Sequence, residues 1–214
     1  MSVLPERETS QMPDWDDLYR RGTPAWETNH PAAELVRAVE QEWIRPCSML
    51  ELGCGSGADA VYLAQQGFEV TAVDCAAIAL ERAHLRAEQQ EAMVRFVLDD
   101  VFDFAANEGA YDLIYDAGFY HCVRQYDLQR HLDMLWRITR PGSIYFALVG
   151  AEEGAAEDGA EHGPPQVSED DIYGELGRIF EFVRLEPFRF ESPMRDDGYP
   201  GWSCLMKRPE TMAL

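Results

Sequence analysis

Three groups of residues in this 214-residue chain carry the chemistry. The first is Gly53-Cys54-Gly55-Ser56-Gly57-Ala58, a glycine-rich turn between the apolar run Met49 to Leu52 and a helical pattern built on Ala58, Val61, Tyr62 and Ala64. Strand, glycine turn and helix together let backbone come close to a nucleotide-like ligand. Glycine can take positive φ in such a turn and has no Cβ to hold the ligand away. The second group is Asp74, about twenty residues after the first glycine. A carboxylate at that distance can accept hydrogen bonds from ribose hydroxyls. The third is Asp116-Ala117-Gly118-Phe119-Tyr120-His121, which offers an acid, a phenol and an imidazole in one short stretch. His121 is the best candidate base, because an unperturbed imidazole titrates near neutral pH. Packing is the competing role for it, and Tyr120 fits a pocket wall better than a catalyst.

These residues need a scaffold, and the hydropathy pattern supplies one. Residues 1–13 read as a flexible N-terminus, followed by a short helix from Asp14 to Arg21. A loop bracketed by Pro24 and Pro31 presents Trp26, with His30 at its edge. A helix is expected from Pro31 to about Ile44. Strands are expected at 48–52, 69–73, 94–98, 111–115 and 143–149, with helices after the glycine turn, at 76–89 and at 128–139. The β-α alternation implies an α/β fold with a parallel sheet and helices on both faces. Residues 150–165 form an acidic excursion that reads as a lid or an ordinary loop. Ser168-Glu169-Asp170-Asp171 then begins a helix. The runs 180–190 and 202–207 pair antiparallel.

Composition narrows the functions. The net charge is −21 with one lysine, Lys207, so phosphate-tracking nucleic-acid binding is disfavoured. No apolar run reaches the ~20 residues of a membrane span, and Met1 to Asp17 is too polar for a signal peptide. Five cysteines (Cys47, Cys54, Cys75, Cys122, Cys204) with no CxxC pair argue for a reducing cytoplasm without a zinc site or other metal. Cys54 and Cys122 read as small apolar fillers.

The glycine turn alone fits two ligands. Gly53-x-Gly55-x-x-Ala58 matches the alanine-ended dinucleotide fingerprint. Read as Glu51-x-Gly53-x-Gly55-x-Gly57, it resembles motif I of the class I S-adenosylmethionine (SAM) methyltransferases. Other features separate them. No Tyr-x-x-x-Lys pair exists for a short-chain dehydrogenase, no lysine follows the glycines for a P-loop, and the chain is short for a second substrate domain. The acid pair Asp99-Asp100 and the terminal hairpin fit a methyltransferase sheet better.

Over residues 14–208 the chain thus resembles a class I SAM-dependent methyltransferase in one domain. That resemblance implies a Rossmann-like seven-stranded mixed sheet of order 3-2-1-4-5-7-6 with strand 7 antiparallel. It implies SAM as cofactor and S-adenosylhomocysteine as product. Glu51, Gly53, Cys54, Gly55 and Gly57 would hold the methionine part, Asp74 the ribose with Cys75 beside it, and Asp100 with the Val101 backbone the adenine. Asp99 competes with Asp100 for that role. Asp116 would position the SAM amino group or polarise the acceptor. A narrower likeness joins Trp15-x-x-x-Tyr19-x-x-Gly22-x-Pro24-x-Trp26 to the opening of the thiopurine and thiol/halide S-methyltransferases, although Ala25 interrupts its Pro-Trp pair. On that likeness Trp26 contacts the cofactor, and an aromatic face beside a sulfonium is favourable in itself.

The expected acceptor is a small molecule, a thiol or other soft nucleophile. A hydroxyl or amine of a natural product is the alternative, and a non-catalytic SAM-binding module the alternative of another class. A monomer or homodimer is expected, with no nucleic-acid or membrane partner.

Overall fold

A computed structural model describes residues 12–22, 24–107, 109–152 and 164–210. Seven strands form one sheet: β1 (Ser48–Leu52), β2 (Glu69–Asp74), β3 (Val94–Leu98), β4 (Tyr111–Ala117), β5 (Thr139–Gly150), β6 (Glu181–Phe190) and β7 (Tyr199–Lys207). Their order is β3-β2-β1-β4-β5-β7-β6, as the resemblance implied. The first five pair parallel, while β7 runs antiparallel to both β5 and β6.

Side-chain alternation along the central strands builds two cores. Leu50, Leu52, Ile114, Tyr145 and Ala147 face one way and bury against α5 (Val101–Asn107), α6 (Phe119–Ile138) and α7 (Glu169–Leu176). Met49, Leu113, Tyr115, Phe146 and Leu148 face the other way, against α2 (Ala33–Glu40) and α3 (Ala58–Gln65), with α4 (Ala77–Gln89) beside them. Strands buried on both faces read as the near-continuous apolar runs seen in the sequence. A further short helix, α1 (Trp15–Arg20), lies against α4. Its N-cap Asp14 accepts from the Asp17 amide at 2.9 Å.

Four local expectations are corrected. The segment after β4 is not a loop: α6 starts at Phe119, not Leu128, so Phe119, Tyr120 and His121 form its first turn. Gly118, at φ +103, is the residue that lets the chain turn from strand into helix. The break near Leu128 is a kink at Asp127, whose carboxylate caps the second half by accepting from the Arg130 amide. Helix α5 has no counterpart in the sequence reading; its seven residues are too few to show a period. Helix α2 runs only from Ala33 to Glu40, because Glu42 adopts φ +55. Finally, β5 begins at Thr139, and Pro141-Gly142 lies in an irregularity of its pairing with β4. Most of the acidic 150–165 stretch, and residues 1–11, fall outside the described residues.

Candidate active site

Every functional residue expected from the sequence, apart from Trp26 on the N-terminal segment, comes from the carboxyl ends of β1 to β4 or the turn that follows. This is where ligands bind in open α/β sheets. The glycine turn leaves β1 with Gly53, Gly55 and Gly57 all at positive φ. Its amides are used within the protein. Those of Gly53 and Cys54 donate to the Val73 carbonyl, Gly55 donates to Asp74 Oδ2 at 2.8 Å, and Gly57 donates to the Cys54 carbonyl. Ser56 donates from its amide to Glu27 Oε1 at 3.4 Å and from its hydroxyl to Glu27 Oε2. The five amides from Gly53 to Gly57 are thus all engaged within the protein and none of them is left for a pyrophosphate.

The charges around the turn point the same way. Glu51 is buried at the end of β1, and its Oε2 has no hydrogen-bond partner. Burial raises its pKa well above the carboxylate range, and Asp59, Asp74 and Asp116 add to the rise. Asp74 is buried too and raised by burial, while its Oδ1 accepts from the Ala76 amide at 2.8 Å, just ahead of α4. Asp59 accepts from Tyr115 at 2.7 Å and from the Ala32 amide at 2.8 Å. These carboxyl groups, with one orphaned oxygen on Glu51, suit a cation, whose arrival favours their ionised forms, better than an anionic pyrophosphate. SAM is cationic at its sulfonium and its ammonium, so the residues present fit it. Glu51 would take the ammonium, and the second lone pairs of Asp74 the ribose hydroxyls.

For adenine, Asp100 is exposed and caps α5 by accepting from the Phe102 amide at 2.7 Å, which leaves its other oxygen free. Val101 is buried beneath it, and Asp99 is half-buried with its amide on the Asp74 carbonyl. Sequence reasoning missed the rings nearby. Phe119 would stand 3.2 Å from a Cβ on Gly53, and Phe102 packs on Phe119 with the rings tilted 50° and centroids 6.0 Å apart. Cys75 is an exposed thiol there, pushed up to about 11 by burial and Asp74, so it is not a thiolate. Cys54 is buried, as a filler would be.

The N-terminal segment crosses the turn. Trp26 is half exposed, donates to the Tyr19 hydroxyl at 3.3 Å and packs edge-on to Trp15. Tyr19 donates in turn to Glu27 Oε1 at 2.8 Å. Arg82 and Arg86 of α4 hold the segment from behind, through the carbonyls of Tyr19, Gly22, Asn29 and Ser56. Glu27 was not singled out from the sequence; its only signal there is an acid next to Trp26 in a proline-bracketed loop. His30 is exposed and lies beside Glu191, at the rim.

The three candidates for catalysis are placed less freely than expected. Asp116 is fully buried and accepts from the Phe119 amide (3.1 Å), the Tyr120 amide (3.3 Å) and the Tyr145 hydroxyl. It caps α6, and burial raises its pKa to about 6. Tyr120 is buried and donates to Glu175 at 2.7 Å, in a cluster with Arg124 that ties α6 to α7. Its hydroxyl is thereby committed to α7. The sequence leaves His121 as either a base or a packing residue. Its Nδ1 accepts from the Gly150 amide at 2.9 Å, so the lone pair that would take a proton is already used. Burial lowers its pKa to about 3, which keeps the ring neutral.

Comparison with known proteins agrees with this geometry. Residues 49–142 match a family model described as a methyltransferase domain. The chain is 26% identical over 177 residues to the 2-heptyl-1-hydroxyquinolin-4(1H)-one methyltransferase of Mycobacteroides abscessus, covering 82% of this chain and 76% of that protein. It is 35% identical over 101 residues to an uncharacterized methyltransferase of Synechocystis, where the match spans 47% of this chain and just under half, 45%, of the relative. A solved structure described as "Conversion of a Disulfide Bond into a Thioacetal Group during Echinomycin Biosynthesis" superposes with TM-score 0.80 at 22% identity, over 92% of this chain and 93% of the other. The 1,6-didemethyltoxoflavin-N1-methyltransferase of Burkholderia thailandensis superposes with TM-score 0.62 at 20% identity, over 83% and 77%. Both structures speak to the fold. Among the described residues no helix is long and apolar enough to cross a membrane, and no group of side chains is set to hold a metal ion.

Proposed function

For this class I SAM-dependent methyltransferase we propose a small-molecule acceptor that needs no base from the protein. The acceptor is an aromatic thiol or an acidic heteroaromatic hydroxyl that arrives as its own anion. The observation that carries this reading is the Gly150 amide on His121 Nδ1. With that lone pair occupied, Asp116 committed to capping and Tyr120 bonded to Glu175, the segment after β4 offers no free proton acceptor. An amine or an aliphatic hydroxyl would need one.

When bound, SAM supplies an electrophilic methyl on a sulfonium that leaves as a neutral thioether. The protein's own share is position and water exclusion. Glu51 and Asp74 would hold the cofactor's cationic and ribose ends. Phe102, Phe119 and Val101 would border the adenine, with Asp100 beside them. Trp26, tied to Tyr19 and through it to Glu27, would supply an aromatic face for the sulfonium. Acceptor anion and sulfonium neutralise each other in the transition state, so no strongly localised charge has to be stabilised.

The acceptor's walls are apolar. Phe190 lies edge-on to His121 at 6.3 Å, and Met194 is exposed on the connection between β6 and β7. Ser192 of that connection donates to the Ala25 carbonyl at 3.4 Å, which brings it against the Trp26 segment. An aromatic acceptor fits between such walls. The Mycobacteroides abscessus relative is named for a heteroaromatic N-hydroxyl, which belongs to this class. The charge of −21 argues for a free small molecule over a nucleic acid.

A radiometric methyl-transfer panel near neutral pH tests the reading. Thiophenol, 2-mercaptopyrimidine and 1-hydroxyquinolin-4(1H)-one should be methylated, and aliphatic alcohols and amines should not. Efficient turnover of the alcohols or amines would overturn it.

A further inference from the structure

His121 has a second nitrogen, and the structure fixes its state. An amide N–H can only donate, so Nδ1 beside Gly150 is unprotonated and the neutral ring carries its proton on Nε2. That N–H finds no protein acceptor among the described residues. Both nitrogens of His131, by contrast, are sealed in the core without partners, while Nε2 of His121 is not among the sealed atoms. It lies 3.2 Å from where a Cβ on Gly118 would stand, and Gly118 has none. The missing side chain leaves the Nε2 edge uncovered at the carboxyl end of β4, between Phe190 and the glycine residue that starts α6. A donor held in one tautomer, without a partner, at the acceptor's side of the site is a recognition element.

We propose that His121 determines acceptor specificity by donating from Nε2 to a second lone pair of the acceptor, next to the nucleophilic atom. The preferred acceptor is then a heteroaromatic whose anion is shared with a ring nitrogen or carbonyl, and not a simple aryl thiol. The Gly150 amide is the positioning partner: it orients the ring and selects the tautomer. The inference rests on the base-free reading above and assigns the ring a role that reading leaves open.

Two substitutions separate donation from packing. Asparagine places its polar atoms near Nδ1, so His121→Asn keeps an acceptor for Gly150 and loses the Nε2 donor. Glutamine reaches to the Nε2 position, so His121→Gln keeps a donor there and loses the Gly150 contact. The probes are 2-mercaptopyrimidine and thiophenol, both largely anionic at mildly alkaline pH, which differ in the ring nitrogens flanking the thiolate carbon. The readouts are kcat, KM for acceptor and for SAM, the melting temperature, and calorimetric Kd of each probe on enzyme loaded with S-adenosylhomocysteine.

The wild type should prefer 2-mercaptopyrimidine. His121→Asn should weaken binding of 2-mercaptopyrimidine by roughly 10- to 100-fold, the size of one hydrogen bond to a charged partner, cost thiophenol far less, and not move the SAM KM. His121→Gln should restore part of the preference. The opposite order, with Asn wild-type-like and Gln deficient on both probes, would mean a packing role and overturn the inference alone. Equal loss of kcat on both probes in both variants would reveal a base and overturn the base-free reading with it. Failure of the wild type to methylate either probe would count against that reading first, and against the inference that rests on it.

Discussion

The hydroxyl of Tyr19 stands 2.7 Å from the point where a Cβ on Gly55 would lie, and Glu27 Oε1 is 3.2 Å from the same point. Gly55 is therefore glycine for two reasons: its φ of +53 and the N-terminal segment pressed against it. Gly55→Ala should destabilise the protein by about 2 kcal/mol, from left-handed strain and the contact with Tyr19. Tyr19→Phe removes the colliding oxygen. The double variant should recover part of the loss, so thermal melts of the four proteins should give a non-additive cycle. Strict additivity would show that only the backbone angle matters.

Glu51→Gln should separate cofactor binding from folding. The orphaned carboxyl is raised by burial, which favours its protonated form in the folded protein. A raised carboxyl contributes stability that is full below the unfolded pKa, about 4.3, and is lost as pH rises toward the folded value. The glutamine variant should lack that loss and be no less stable than wild type at neutral pH. Its SAM affinity should fall about 10- to 100-fold. A cation arriving beside Glu51 favours the ionised form, so wild type should release protons on binding SAM, and the variant fewer. Calorimetry in two buffers of different ionisation heat measures this directly.

Asp116 makes a second pH-dependent contribution, and its window is narrower. Burial moves its carboxyl from 3.8 to about 6, despite the donors that cap it. Its contribution is complete below about pH 4 and lost by about pH 6, a difference of about 3 kcal/mol. Denaturant melts of Asp116→Asn should show a flatter pH dependence across that interval than wild type. If the two profiles run parallel, Asp116 ionises normally in the folded state.

Much of this architecture is legible in the residues. The apolar runs around Leu50, Val73, Val97, Ile114 and Phe146 announce buried strands, and the glycines of 53–57 with Asp74 mark the ligand end of the sheet. The first turn of α6 was hidden because Asp116 and Gly118 look like loop residues. They are the cap and the left-handed hinge of that helix, and only tertiary context distinguishes the cases. The same residues misplace the chemistry of His121. A sequence shows an imidazole beside an acid, but not that the Gly150 amide, twenty-nine residues away, uses its lone pair. Glu27 escaped notice for a similar reason, because its partner Ser56 is also twenty-nine residues distant.

The central claim is that the proton leaves the acceptor without help from the enzyme, and pH–rate profiles across an acceptor series test it most directly. We would measure kcat/KM against pH for aryl thiols and heteroaromatic hydroxyls of graded acidity, in wild type and in His121→Asn. The expected profile has one limb whose midpoint moves with each acceptor's own pKa, and no enzyme limb near 6.5, because burial lowers the His121 pKa to about 3. A limb fixed between about pH 6 and 8 for every acceptor, absent in His121→Asn, would contradict it and make His121 the base.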